Sequence, residues 1–210
     1  MTNKQSSIDG EILLLCERVD IAQFISVYIK LLKKDGYDIA DCRIINFQGL
    51  GRFGSCLEKL QAAEGSEKIK KAVIFADATD AIRTRNLALY RAVNHSFLKD
   101  IGDTGYFMLP GKRPTGRWNK GYLEDLLLQA LHPDSECSYL RNMAEDYMLS
   151  VNNTRGKENF FVNQSRYLLC ACLAGMRRFA GLRLAEAAHL GAFDLEHEGF
   201  DSLRKCLCSL

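Results

Sequence analysis

Four short apolar runs, each bounded by polar residues, punctuate the first half of the chain. Ile12-Leu13-Leu14-Leu15-Cys16, Arg43-Ile44-Ile45-Asn46-Phe47, Ala72-Val73-Ile74-Phe75-Ala76 and Tyr106-Phe107-Met108-Leu109 read as strands, the last closed by Pro110. Near-continuous apolar runs of this length, rather than alternating ones, belong to strands covered on both faces, as in a parallel sheet. Between them the period becomes helical. Ile21, Phe24, Ile25, Tyr28, Ile29 and Leu32 make one apolar face, with Asp20 placed to cap the helix and Gly36 to end it. Leu57 and Leu60 mark a second helix, and Leu87, Tyr90, Val93 and Phe97 mark a third over 83–97. The order β-α-β-α-β-α-β predicts an α/β fold in which a mainly parallel sheet is flanked by helices.

The pattern changes near residue 110. A helix carrying Leu123, Leu126, Leu127 and Leu131 is expected next, and beyond His132-Pro133 there are only helix and loop signals. Asn152 to Asn159 reads as a polar connection, followed by helices near 163–179, 183–190 and 199–209. The expected division is an α/β core over 1–110, then a basic loop and a helical C-terminal lobe over 111–210.

Composition narrows the class without naming it. A length of 210 residues allows a real core, and a formal net charge of +2 creates no global field that would demand nucleic acid. Any such binding has to come from a local patch. No apolar run approaches the roughly 20 residues of a membrane-spanning helix, and the first residues lack the apolar stretch of a secretory signal. No membrane partner and a cytoplasmic location are therefore expected. The eight cysteines are scattered through apolar patterns, with C-x-C pairs at Cys170/Cys172 and Cys206/Cys208 on expected helices, where residues two apart diverge. They read as buried thiols rather than as a zinc site or a disulfide framework. None of the four histidines pairs with a cysteine or another histidine at metal spacing, and no nucleophile turn appears.

The candidate chemistry lies at the strand ends. Glu17 follows the first run and Asp77 the third, and ligands of parallel sheets bind beyond the carboxyl ends of the strands. An acid directly after an apolar strand is costly unless solvated or paired. Glu17 and Asp77, with Asp80 one turn on and Glu124 opening a later helix, are a candidate set for a hard divalent cation, Mg²⁺ or Mn²⁺. Asp20 and Asp80 serve equally as helix caps, and Glu124 as a complement to a helix dipole. The segment Gly111 to Gly121 is the second candidate. Lys112, Arg113, Arg117 and Lys120 among glycines, with Trp118 able to stack, suit a phosphate backbone, and Arg52 in the glycine-rich turn 48–54 faces the same edge. Arg83 and Arg85 read as surface or ion-pair residues.

Leu13-Leu14-Leu15-Cys16-Glu17-Arg18-Val19-Asp20 and Phe75-Ala76-Asp77-Ala78-Thr79-Asp80 resemble the two acidic motifs of the Toprim domain of topoisomerases, primases and OLD-type nucleases. Most of the chain is similar to a Toprim-like family of uncharacterised bacterial proteins related to the OLD nucleases. Gly49-Leu50-Gly51, Met108-Leu109-Pro110, Gly121-Tyr122-Leu123-Glu124-Asp125-Leu126, Leu182 to Ala188 and Phe193-Asp194 carry that likeness. The resemblance implies a Toprim-like sheet, with Glu17 and Asp77 as catalytic metal ligands and Asp80 and Glu124 in support. The implied activity is divalent-metal-dependent phosphodiester hydrolysis on nucleic acid, in phage defence or DNA metabolism. It further implies a separate ATPase as partner, because no Walker A motif is present, and is compatible with a homo-oligomer. Arg18 stands where the family usually has glycine, and Thr79 where it has the second aspartate. Those departures carry the alternative: a degenerate Toprim-like module that binds nucleic acid, nucleotide or protein without cutting.

Overall fold

A computed structural model describes residues 11–79, 82–111, 120–131, 135–154 and 164–210. Strand β1 is Ile12–Cys16, β2 Cys42–Asn46, β3 Lys71–Asp77 and β4 Asp103–Leu109. The helices are α1 Val19–Lys34, α2 Phe53–Gln61, α3 Ile82–Asn94, α4 Leu123–Gln129, α5 Ser135–Thr154, α6 Gln164–Gly175, α7 Leu184–His189 and α8 Asp201–Cys208. The four strands form one sheet in the order β2-β1-β3-β4, with every pair parallel. The α/β class and the helical C-terminal part follow the sequence pattern.

Strand periodicity sorts the sheet into two apolar faces. Leu13, Leu15, Ala72, Ile74, Ala76 and Met108 face α2 and α3, meeting Phe53, Leu57, Leu89 and Val93. Ile12, Leu14, Cys16, Val73, Phe75 and Phe107 face α1, and the cluster on that side continues into the C-terminal helices through Leu127, Leu169, Phe200 and Leu203. Phe200 packs 6.0 Å from Phe24 and 5.4 Å from Tyr28, ring centre to ring centre, seating the chain's last segment on α1. The C-terminal helices thus complete one face of the sheet.

Several boundaries differ from the pattern, each for a local reason. The N-cap position of α1 is Arg18, and Asp20 stands in the first turn, where it complements the helix dipole. Gly36 ends the helix as expected, with φ +91°, as Tyr37 N–H donates to Leu32 O at 3.0 Å and Gly36 N–H to Lys33 O at 3.2 Å. The third helix stops at Asn94, and Phe97 sits in a separate 3-10 turn, Phe97–Asp100, whose Leu98 N–H donates to the Ser96 hydroxyl at 3.3 Å. The fourth strand begins at Asp103, ahead of its apolar run, because main-chain pairing reaches back to Lys71. Leu131 lies beyond α4 and bridges to Phe193, while α5 carries helix to Thr154, into the expected polar connection. Among the described residues no helix is long and apolar enough to cross a membrane.

Candidate functional site

The strand order places a switch point between β1 and β3, since the chain leaves β1 for β2 on one side and reaches β3 on the other. The crevice at the carboxyl ends of such a pair is where open α/β sheets bind ligands. Glu17 directly follows β1, and Asp77 is the last residue of β3. Cys16 lies opposite Phe75 in register, and Glu17 N–H donates to Phe75 O at 2.9 Å, extending the ladder by one step. The Asp77 N–H then donates to Glu17 Oε2 at 3.2 Å, so the two acids stand on adjoining strand tips.

Glu124 arrives from a distant part of the chain. Ala78 N–H donates to Leu109 O, and Gly121 N–H donates to Ala78 O, both at 2.7 Å. Leu109 and Gly121, on either side of the basic segment in sequence, thus both pair with Ala78 just beyond β3. Gly121 has φ +143°, and a Cβ there would lie 2.5 Å from Asp125 Oδ2, which already accepts the Tyr122 N–H at 2.6 Å. Only glycine lets the chain enter α4 at that angle. The Leu123 N–H then donates to Asp77 Oδ1 at 3.2 Å, bringing the first turn of α4, and Glu124 with it, onto the tip of β3.

Two arginines meet the three acids. Arg18 NH1 and NH2 donate to Glu124 Oε1 and Oε2 at 2.9 and 2.8 Å, a bidentate pair, and its Nε lies 2.9 Å from Asp77 Oδ2 as a charge contact without hydrogen-bond alignment. Arg85, on the first turns of α3, pairs through NH2 with Glu17 Oε1. Glu124 is completely buried and Asp77 is 3% exposed, whereas both arginine side chains remain partly open to solvent. Burial pushes the Asp77 carboxyl up to about 7; Arg18 opposes that shift, while Glu124 and Glu17 add to it. Burial alone would lower the Arg18 guanidinium, but the hydrogen bonds to Glu124 and the charges of Asp77 and Glu124 hold it well above the ordinary arginine value.

Magnesium or manganese would need open carboxylate oxygens at this edge. Each of the six oxygens of Glu17, Asp77 and Glu124 instead faces a nitrogen donor from Arg18, Arg85, Asp77 or Leu123. Arg85 Nε is buried with no acceptor among the described residues, an orphan that suits an anionic oxygen rather than a cation. As arranged, the donor set does not fit a divalent ion, and among the described residues no group of three His, Cys, Asp or Glu is disposed to hold one.

Of the residues singled out from sequence, Glu17, Asp77 and Glu124 converge. Arg52 is exposed in the turn after β2, its NH1 donating to Gln48 Oε1, and Lys120 is exposed at the end of the basic segment. Asp80, Lys112, Arg113, Arg117 and Trp118 lie outside the described residues. Arg85, expected as a surface or ion-pair residue, is paired with Glu17, whereas Arg18, a departure from the motif in sequence, is the partner of Asp77 and Glu124. A cation immediately after Glu17 is the available signal for Arg18, and a place in the first turns of the helix that follows β3 for Arg85. Fold and cluster together define an α/β protein with a neutralised acid–arginine cluster at its switch point. Comparison with family models, curated proteins and solved structures finds no match to the chain.

Proposed function

We propose that the chain is a Toprim-like module that binds nucleic acid at the carboxyl edge of its sheet without cutting it. One observation carries this reading: the Arg18 guanidinium stands between Asp77 and Glu124, where the resemblance would put a divalent ion. A guanidinium paired with two carboxylates fills the place of an ion with its own charge neutralised, and it neither activates a water molecule nor offers coordination sites. In sequence, the basic segment whose flanking residues Leu109 and Gly121 pair with Ala78 carries Lys112, Arg113, Arg117 and Lys120, from which a phosphate backbone would release counterions. The orphaned Arg85 Nε adds an anion-seeking donor.

A second reading has its own support. Three acids from separate segments meet at a switch point with Asp77 held near neutrality, a disposition that Mg²⁺ or Mn²⁺ would relieve if Arg18 swung aside. Under that reading Glu17 and Asp77 are the primary ligands of a nuclease, aided by Asp80 and Glu124. A separate ATPase partner and a place in phage defence or DNA metabolism then go with it.

Fluorescence anisotropy with labelled single- and double-stranded oligonucleotides tests the first reading. Binding is expected to weaken as salt rises and to weaken further when Lys112, Arg113 and Arg117 are changed together to Glu. Binding indifferent to salt and to those charges would overturn it. Manganese-supported cleavage that disappears in Asp77→Asn would replace it with the second.

A further inference from the structure

A cavity of about 320 Å³ lies between α6, the turn before α7 and the start of α1. Leu173, Phe179 and Leu184 make its apolar wall, while Asp20, Arg166 and Arg183 make its polar edge. The volume is at the small end of the range for ligand clefts, which are mostly apolar with a few convergent polar groups. Arg18, Asp77 and Glu124 do not line it, although its Asp20 and Cys170 lie within electrostatic reach of Arg18 and Glu124.

Its lining carries two arginines, Arg166 and Arg183, and one acid, Asp20, with Glu186 beside Arg183. Asp20 is engaged by Arg166, with Oδ2 3.4 Å from NH2. The Arg183 backbone N–H donates to Glu186 Oε2 at 2.8 Å, but its guanidinium makes no ion pair among the described residues. Arg177 and Arg178 are exposed on the same turn, and Arg178 lies 5.4 Å from the centre of the Phe179 ring. A basic mouth above an apolar wall that includes an aromatic ring is complementary to an anion carrying a flat apolar group. The planar fork of arginine matches phosphate oxygens, and a base can stack on phenylalanine.

We propose that this cavity binds a single nucleotide, its base against Phe179 and Leu173 and its phosphate on Arg183 and Arg166. The source of that nucleotide is either a free nucleoside monophosphate or the terminal unit of a strand. The site does not depend on the reading of the sheet edge.

Calorimetric titration of the full chain with adenosine monophosphate, adenosine and inorganic phosphate is the test. Adenosine monophosphate is expected to bind one per chain and more tightly than either fragment. Arg183→Glu should weaken it by tenfold or more, about the loss of one charge-assisted interaction. Ala174→Trp, at an exposed position of the cavity lining, should abolish binding by filling the space. Charge reversal at Lys112, Arg113 and Arg117 should leave this binding unchanged, which separates its outcome from that of the sheet edge. Displacement by a 5′-phosphorylated pentanucleotide would make a strand end the source, and failure of displacement would make it the free nucleotide. No binding to the wild type, equal affinity for adenosine and its monophosphate, or full affinity in both variants would overturn the proposal. Melting curves of the two variants establish that each is folded, and either one alone suffices.

Discussion

Arg18 and Glu124, 106 positions apart, form a bidentate pair whose acidic member is wholly out of solvent. Such a pair is worth little net stability against an apolar substitute, yet breaking it from one side is severe, because a buried charge loses its counter-charge. Arg18→Met is therefore expected to cost about 3–5 kcal/mol in the free energy of unfolding. Adding Glu124→Gln to that variant should return much of the loss. Urea denaturation of the wild type, both single variants and the double variant measures the coupling; additive effects would mean that the two side chains do not act as a unit.

The state of Asp77 makes stability depend on pH in an unusual direction. Its carboxyl is raised from the ordinary 3.8 to about 7, with burial the largest cause, so the folded chain holds a proton that the unfolded chain has released. Between those values the native state binds more protons, and stability must fall as pH rises, by at most about 1.4 kcal/mol per pH unit from this group. The contribution is fully present below about 4 and lost above about 7. Asp77→Asn should flatten the melting temperature between pH 5 and 7 relative to the wild type. A wild-type profile that rises across this interval while the variant stays flat would contradict the assignment.

The strands and the acids at their tips were legible for the same reason. Burial on both faces of a parallel sheet demands continuous apolar runs, and the point where such a run meets an acid marks the ligand-binding edge. Glu17 and Asp77 could be placed from that alone. What could not be read was the cationic half of the site. Arg18 reaches Glu124 only because Gly121 turns the chain and Leu123 N–H docks on Asp77, relationships that no spacing encodes. Arg85 meets Glu17 from the helix that follows β3, 68 positions away in sequence. The helices end at Asn94 and Gly175, short of where apolar spacing continues, because capping and close helix approach, not periodicity, decide those boundaries.

Phe200 tests whether the C-terminal helices are part of the sheet's core. It is fully buried between Phe24 and Tyr28, in the cluster that runs from β1 to α8. Phe200→Ala should cost about 3–5 kcal/mol. If the core is shared, the loss should appear in one transition, with far-UV circular dichroism and hydrogen exchange of the β1 amides reporting the same midpoint shift. Unchanged protection at β1 would separate the C-terminal helices from the sheet energetically.

Arg18→Gly addresses the site's chemistry most directly. The substitution removes the guanidinium from between Asp77 and Glu124 and leaves two buried carboxylates facing each other, with a third on the neighbouring strand tip. Without added metal the variant should melt well below the wild type, for the same unpaired-charge reason as Arg18→Met. If the backbone geometry of the edge is otherwise suited to a divalent cation, manganese should then raise the variant's melting temperature in proportion to the logarithm of its concentration. The wild type, whose oxygens are already met by nitrogen donors, should show no such rise. Manganese stabilisation of the variant alone would identify the guanidinium as the element that keeps metal out. Equal stabilisation of both proteins would mean that Arg18 yields to the ion, favouring the nuclease reading, and stabilisation of neither would mean that the acids serve only to hold the arginines in place.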